Sequence, residues 1–335
     1  MATHIRRRDF ILTLGSATAA WPLAVGAQQQ TNAQKNNVHR LGFLFGGTIA
    51  LRPQAQEFWR ELQVLGYIEG KNLISEVREA RGELDRLPKL ASEIVDTHPD
   101  VIAAVTSPAI AAAKKATQTI PIVMVIVSDP VELGFVKSLA QPGGNITGSS
   151  TLQTELAPKQ VQLIKEMLPE LSILGILWNE KSPVQRLQVP LAEQAARTLG
   201  ITLRSFPVQA PEDFKPSLNK VFEEHISALL VLGDPLFFDR RADVIAFSLA
   251  NRVLTFHTLQ EEAIDGAVAA YGVELADEYR RGALYVGKIL AGAAPADLPV
   301  DQATRFGFVL NMKTAKAIGL KIPASILLRA DKIIE

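Results

Sequence analysis

The sequence predicts an α/β protein built from two similar lobes, each a parallel sheet flanked by helices. Three observations carry that reading. Short apolar runs rich in β-branched residues, such as Val101 to Val105 and Ile122 to Val127, lack strict alternation, as strands covered on both faces do. Between them lie segments whose apolar residues recur at helical spacing, for example Leu84, Leu87, Leu90, Ala91, Ile94 and Val95. The strand and helix alternation runs through Ser149 and then starts again, repeating architecture and not sequence, in a chain of 335 residues that suits two domains.

Structure is expected from Val38 onward. Arg40 to Phe45 reads as a first strand, Gly46, Gly47 and Thr48 as the loop at its end, and Gln54 to Leu65 as a helix stopped by Gly66. Leu73 to Arg78 is a second strand. Val101 to Ser149 then reads strand, helix, strand, helix. Ser107-Pro108 and Asp129-Pro130 each close an apolar run and open a helix, because the side-chain oxygen caps free amides and Pro fits the first turn. Pro142 to Asn145 is a tight turn.

The second half is expected to hold a helix from Pro158 to Leu168, a strand from Ile173 to Trp178 ending in Asn179, and a helix beyond Ser182-Pro183. Ile201 to Val208, a helix from Glu212 to Glu224, Ala228 to Leu232, Asp234-Pro235 opening a helix to Asn251, and Val253 to His257 follow. Ala267 to Tyr271 is a last strand before a helix carrying Leu275, Tyr279, Val286 and Ile289. The segment from Ala294 to Pro299 is a hinge or linker, followed by a strand from Arg305 to Asn311 and short terminal helices. Helix starts therefore gather at the carboxyl ends of strands, the edge where open α/β sheets bind ligands, and two such edges should face each other across a cleft.

Composition narrows the function. Lys and Arg total 35 and Asp and Glu total 35, leaving no basic excess for nucleic acid. With no Cys there is no disulfide framework, thiol nucleophile or cysteine-held metal, and the five His show no metal-ligand spacing. Neither G-x-x-x-x-G-K-[ST], G-x-G-x-x-G nor G-x-S-x-G occurs, so no cofactor is expected. Residues 1–27 read as a cleaved export signal: Arg6, Arg7 and Arg8 precede an apolar stretch, and Val25-Gly26-Ala27 offers a small-residue cleavage site. Arg7-Arg8-Asp9-Phe10-Ile11-Leu12 resembles the twin-arginine motif, with an ordinary Sec signal as the alternative. No Cys follows the cleavage site for lipid attachment, and residues 28–37 form a polar lead-in.

Candidate binding residues follow from the strand ends. Ser107, Pro108 and Ala109 present a helix N-terminus whose free amides suit a carboxylate, with a purely structural cap as the alternative. Asp129 and Asp234 can accept charge-assisted hydrogen bonds from an ammonium group, although both also serve as caps. Gly46, Gly47 and Thr48 form the first loop; Asn179 and Tyr271 end strands, with turn and core roles as alternatives. His257, near Gln260 and Glu261, is a pocket wall or, in an enzymatic reading, a base.

Several motifs together resemble a known family. They are Leu65-Gly66-Tyr67-Ile68-Glu69-Gly70-Lys71-Asn72, Asp85-Arg86-Leu87-Pro88, Ile120-Pro121-Ile122-Val123, Asp129-Pro130-Val131 and Gln141-Pro142-Gly143-Gly144-Asn145-Ile146-Thr147-Gly148. Ala296-Asp297-Leu298-Pro299-Val300, Asn311 to Ile322 and Arg329-Ala330-Asp331 continue the pattern. Across nearly the whole chain this is similar to the ABC transporter substrate-binding protein family with the type I periplasmic-binding fold. The resemblance implies two Rossmann-like lobes joined by several crossovers, residues 38–150 plus about 272–300 forming the first and 151–271 plus about 301–335 the second. It implies a periplasmic monomer, not an enzyme, that captures a small polar solute such as an amino acid or small carboxylate and delivers it to a permease in the inner membrane. It also places Asp234 opposite Ser107 across the cleft. The loops at Phe45 to Ile49 and Trp178 to Lys181 depart from the family's usual versions, so no particular solute carries over. An exported enzyme using His257 with Asp234 or Glu261, and a ligand-sensing module for a membrane signalling partner, are the competing readings.

Overall fold

A computed structural model describes residues 38–335. The export signal and lead-in expected over residues 1–37 lie outside the described residues. The chain enters β1 (His39–Phe45), passes through two short 3-10 turns into α1 (Gln56–Val64), and continues through β2 (Leu73–Glu79), α2 (Leu87–Val95), β3 (Val101–Val105), α3 (Ser107–Ala116) and β4 (Ile122–Val127). The helix expected after Asp129-Pro130 does not form. Asp129 takes a left-handed φ of 51° and the chain makes a single turn, Leu133 N–H to Asp129 C=O, before Gly134 reverses it at φ 66°. A strand not foreseen, β5 (Ile146–Ser150), closes this part of the chain.

The second half runs α4 (Gln153–Met167), β6 (Ile173–Asn179), α5 (Pro183–Thr198), β7 (Thr202–Val208), α6 (Phe214–Glu223), β8 (Ala228–Val231), α7 (Pro235–Asp239), α8 (Arg241–Asn251), β9 (Leu254–His257), α9 (Gln260–Asp265) and β10 (Ala269–Gly272). Two expectations need correction here. α4 starts five residues before Pro158, which sits inside it, and the single helix expected from Pro235 to Asn251 is broken at Arg240. The remainder is α10 (Leu275–Leu290), β11 (Asp301–Gln302), β12 (Gly307–Asn311), α11 (Met312–Ala317), α12 (Ala324–Leu327) and β13 (Lys332–Ile334).

Among the described residues the strands form two sheets, ordered β11-β5-β4-β3-β1-β2 and β13-β12-β10-β9-β8-β6-β7. The first is parallel throughout, and in the second β12 runs antiparallel to β10. Strand pleating feeds a separate core on each face. In the first sheet Phe43, Phe45, Val101, Ala103, Val123 and Val125 pack with α1 and α10, whereas Leu44, Ile102, Ala104, Ile122 and Met124 pack with α2 and α3. In the second, Leu174, Ile176, Leu230 and Phe256 meet α4 and α5, and Leu177, Leu229 and Val231 meet α6 and α7. This double covering explains why the strands read as unbroken apolar runs.

The chain passes between sheets three times: from β5 to α4, from β10 to α10, and from β11 to β12. Because Asp301–Gln302 pairs with Ser149–Ser150, the chain stays with the first sheet slightly beyond the return expected near residue 300. The first crossing is held by hydrogen bonds from Thr151 N–H to Val127 C=O at 2.6 Å and from Gln153 N–H to Ser128 Oγ at 2.6 Å.

Candidate functional site

Both sheets contain the same reversal of strand order. In the first, β1 lies between β2 and β3; in the second, β6 lies between β7 and β8. Connections leave such a strand pair toward opposite faces, which opens a crevice at the carboxyl ends. Phe45 at the end of β1 and Thr106 and Ser107 after β3 mark the first crevice. Ser182 beyond β6 and Gly233 and Asp234 after β8 mark the second. All six line one cleft with about 530 Å³ of atom-free space, part of it open to solvent. Ile126, Leu259 and Leu275 give it an apolar end, and Arg52, Ser128 and Gln153 add polar groups.

The first lobe's edge is conformationally strained. Thr106 has φ 80° and ψ 151°, a region favoured by Gly, and Ile126, Asp129 and Leu152 have φ of 56°, 51° and 54°. A β-branched side chain at positive φ costs energy, and such strain concentrates where ligands are held. The Thr106 hydroxyl is buried without a partner. Ser107 was expected to cap α3; instead it is the first residue of that helix, preceded by Thr106, and no side chain caps the end. The first-turn amides of Ser107 and Ala109 thus face outward from the helix start, with no acceptor within α3.

Across the cleft Asp234 is extended (φ −142°) and 4% exposed. Its Oδ1 accepts the Leu236 amide at 2.9 Å, the cap foreseen from the sequence, while Oδ2 is buried without a hydrogen-bond partner. Burial pushes its pKa up to about 6, against the Leu236 amide, the Asn179 side chain and the more distant Arg52 cation, all of which hold it down.

The lobes touch directly. A Cβ on Gly46 would lie 3.0 Å from Thr106 Oγ1 and 3.2 Å from Pro235 Cγ, and one on Gly47 would lie 3.2 Å from Pro235 Cβ. These glycines let the loop after β1 approach the start of α7. Thr48 N–H donates to Asp239 Oδ2 at 2.9 Å, Lys181 Nζ pairs with Asp85 at 2.7 Å, and the Arg52 guanidinium stacks 3.5 Å from the centroid of Phe238. Phe238 and Leu259, from the second lobe, sit within the first lobe's core.

Of the residues singled out from the sequence, Ser107, Pro108 and Asp234 line the cleft. Gly46, Gly47 and Thr48 lie at the lobe contact beside it. Ala109 turns into the core of the first lobe with no exposure, because the helix face it occupies packs on the sheet. Asp129 follows β4, one strand away from the reversal, and does not reach the cleft. Asn179 supports Asp234 and accepts the Lys181 amide through Oδ1 at 2.9 Å. Tyr271 is partly buried against the second core, edge-on to Phe308. His257 is fully buried, its Nδ1 3.0 Å from Glu262 Oε1, and lies off the cleft surface. Sequence reasoning missed Arg52, Thr106, Ser128 and Gln153. For Gln153 and Ser128 the signal was hidden by the misplaced start of α4.

Comparison with known proteins agrees with the two-lobe fold. The chain is 26% identical over 265 residues to the tyrosine-binding protein of Clostridioides difficile, covering 79% of this chain and 76% of that protein. A conserved domain protein from Vibrio cholerae superposes with a TM-score of 0.83 at 28% identity, covering 89% of this chain and 100% of the other. The ABC domain of a Streptococcus protein in complex with L-Trp shares the fold, with a TM-score of 0.79 at 23% identity over 88% of this chain and 99% of the other. The first of these is named for binding tyrosine, and the third holds L-Trp. A family model described as ABC transporter substrate binding protein matches residues 50–334, and the chain belongs to that family.

Proposed function

We propose that the protein captures a free amino acid between its lobes and hands it to an ABC permease. The observation that carries this reading is the buried, half-used carboxylate of Asp234 opposite the open helix start at Ser107. A ligand ammonium on Asp234 Oδ2 and a carboxylate near the first turn of α3 would satisfy both edges at once. Because one group belongs to each lobe, the ligand favours the closed arrangement and stabilises it in proportion to that preference. The apolar end at Ile126, Leu259 and Leu275 suits an uncharged side chain. Tyrosine, for which one relative is named, and the L-Trp held by another are of this kind.

On this reading the lobes are the two strand sets with their helices, and closure pivots on the three crossings. The arginine-led leader exports the chain and is removed after Ala27, and the mature protein works outside the cytoplasm as a monomer. The test is a thermal-shift screen of the mature chain against the twenty amino acids, followed by calorimetry on the hits. An amino acid that raises the melting temperature and binds with one-to-one stoichiometry is the expected result. A panel in which only sugars or polyols bind would overturn it.

A further inference from the structure

Arg52 is the one cation among the described residues that line the cleft, and the reading above leaves it without a task. It enters from the loop between β1 and α1, is only 5% exposed, and lines the same cleft as Asp234 and Ser107. A guanidinium carries five donors and is strongly hydrated in open water, so burying it without hydrogen bonds is costly. Yet its Nε has no partner, and its approach to Asp239 Oδ1, at 3.7 Å, is too long for a hydrogen bond. Asp239 Oδ1 is itself buried without a partner. What holds the guanidinium is its flat face, stacked on Phe238 of the second lobe at 3.5 Å and approaching Phe45 of the first at 5.4 Å. Stacking fixes the plane and leaves the in-plane donors for another acceptor.

We infer that Arg52 reads the ligand's carboxylate and ties that reading to lobe closure. The inference rests on the amino-acid reading and names the residue that enforces it. Arg52 and the first turn of α3 both belong to the first lobe, so one carboxylate has a donor set for each of its oxygens, while its ammonium meets Asp234 across the cleft. The site therefore demands opposite charges on opposite sides. Closure presses Arg52 against Phe238 and strips its water. A solute without an anionic group leaves the cation dry, with its Nε unbonded and only the long approach to Asp239 as compensation, which penalises the closed state; a carboxylate removes the penalty. Arg52 is thus a specificity-determining residue that rejects neutral solutes of the same shape.

The experiment is calorimetry on the mature chain with L-tyrosine, L-tryptophan and L-leucine, each beside its carboxamide, which keeps the ammonium and the side chain and loses only the negative charge. For wild type the acid is expected to bind at least 100-fold more tightly than its amide. In Arg52→Gln that ratio should collapse to within about fivefold, because the acid loses affinity while the amide barely changes. If Arg52→Gln fails to melt cooperatively, Arg52→Lys serves: it keeps a cation without the planar stack, and the ratio should shrink about tenfold. A preference for the acid that survives in both variants overturns the role of Arg52 and leaves the amino-acid reading intact. An amide that binds wild type as well as its acid also overturns it. If none of the six compounds binds while another solute does, the amino-acid reading fails first and takes this inference with it.

Discussion

Asp129-Pro130 and Asp234-Pro235 are the same dipeptide at the end of the same kind of apolar strand, one in each lobe, and they meet different fates. Asp234 is extended, caps α7, is buried, and turns its free oxygen into the cleft. Asp129 is left-handed, opens no helix, and stays out of the cleft although its Oδ2 is also buried without a partner. The local chemistry does not separate them. Their places in the sheet and their backbones do: β8 borders the reversal of strand order, while β4 is one strand removed and reaches the cleft through Ile126 and Ser128 before Asp129 turns left-handed.

The sharpest way to break this comparison is to neutralise each aspartate in turn. Asp234→Asn keeps an oxygen for the Leu236 cap and removes the charge, so it should weaken amino-acid binding by about 2–5 kcal/mol, roughly 30-fold or more, in calorimetry. Asp129→Asn should change affinity by no more than about threefold. Equal losses in the two variants would falsify the assignment by sheet position.

Acidity sharpens it further. Asp234 titrates near pH 6, and a ligand ammonium needs the ionised form, so affinity should hold from pH 8 to 7 and fall about tenfold per unit below pH 6. Stability should move the other way. The folded protein keeps a proton on this carboxyl that the unfolded chain, with an ordinary carboxylate, releases near pH 4. The folded state is thus favoured in acid, and that contribution is lost as the pH rises through about 6. Urea midpoints of Asp234→Asn should accordingly gain on wild type between pH 4 and 7. Parallel curves would show that this carboxyl is not the one titrating.

The smallest expected effect belongs to the lobe contact. Gly46→Ala puts a methyl group 3.2 Å from Pro235 Cγ, an atom of the facing lobe that it meets only when the lobes are together, and 3.0 Å from Thr106 Oγ1 within its own lobe. It should weaken binding by about 1 kcal/mol, near fivefold, and lower the melting temperature of the ligand-free protein by no more than about 2 °C. A larger fall in melting temperature with unaltered affinity would move this contact from closure to folding.

Most of the fold was legible because parallel strands buried on both faces announce themselves as apolar runs. β5 was not, since Ile146–Ser150 carries Thr147, Ser149 and Ser150 fully buried. Two of those polar groups are made tolerable by partners from distant sequence: Thr147 Oγ1 donates to the Leu298 carbonyl at 2.7 Å, and Ser149 Oγ to Glu278 at 3.3 Å, while Ser150 Oγ is buried without a partner. The site was legible in part for a related reason. Ser107, Pro108 and Asp234 line the cleft, and their place at its edge was legible because a polar residue before Pro at a strand end is a local signal. Arg52 sits in an irregular loop, and only the facing lobe, through Phe238, turns it from a surface cation into a buried one. That Asp129 stays off the cleft lining was not legible, because the left-handed turn it takes after Ser128 leaves no mark in the local sequence.

Phe238 and Leu259 belong by chain to the second lobe and by packing to the first, at 1% and 4% exposure. On the proposed reading, parting of the lobes would uncover these two side chains, so the ligand-free protein would present apolar area that the occupied one hides. Capture should therefore carry a negative heat-capacity change larger than the solute's own surface accounts for, the excess measuring how far the resting molecule stands ajar.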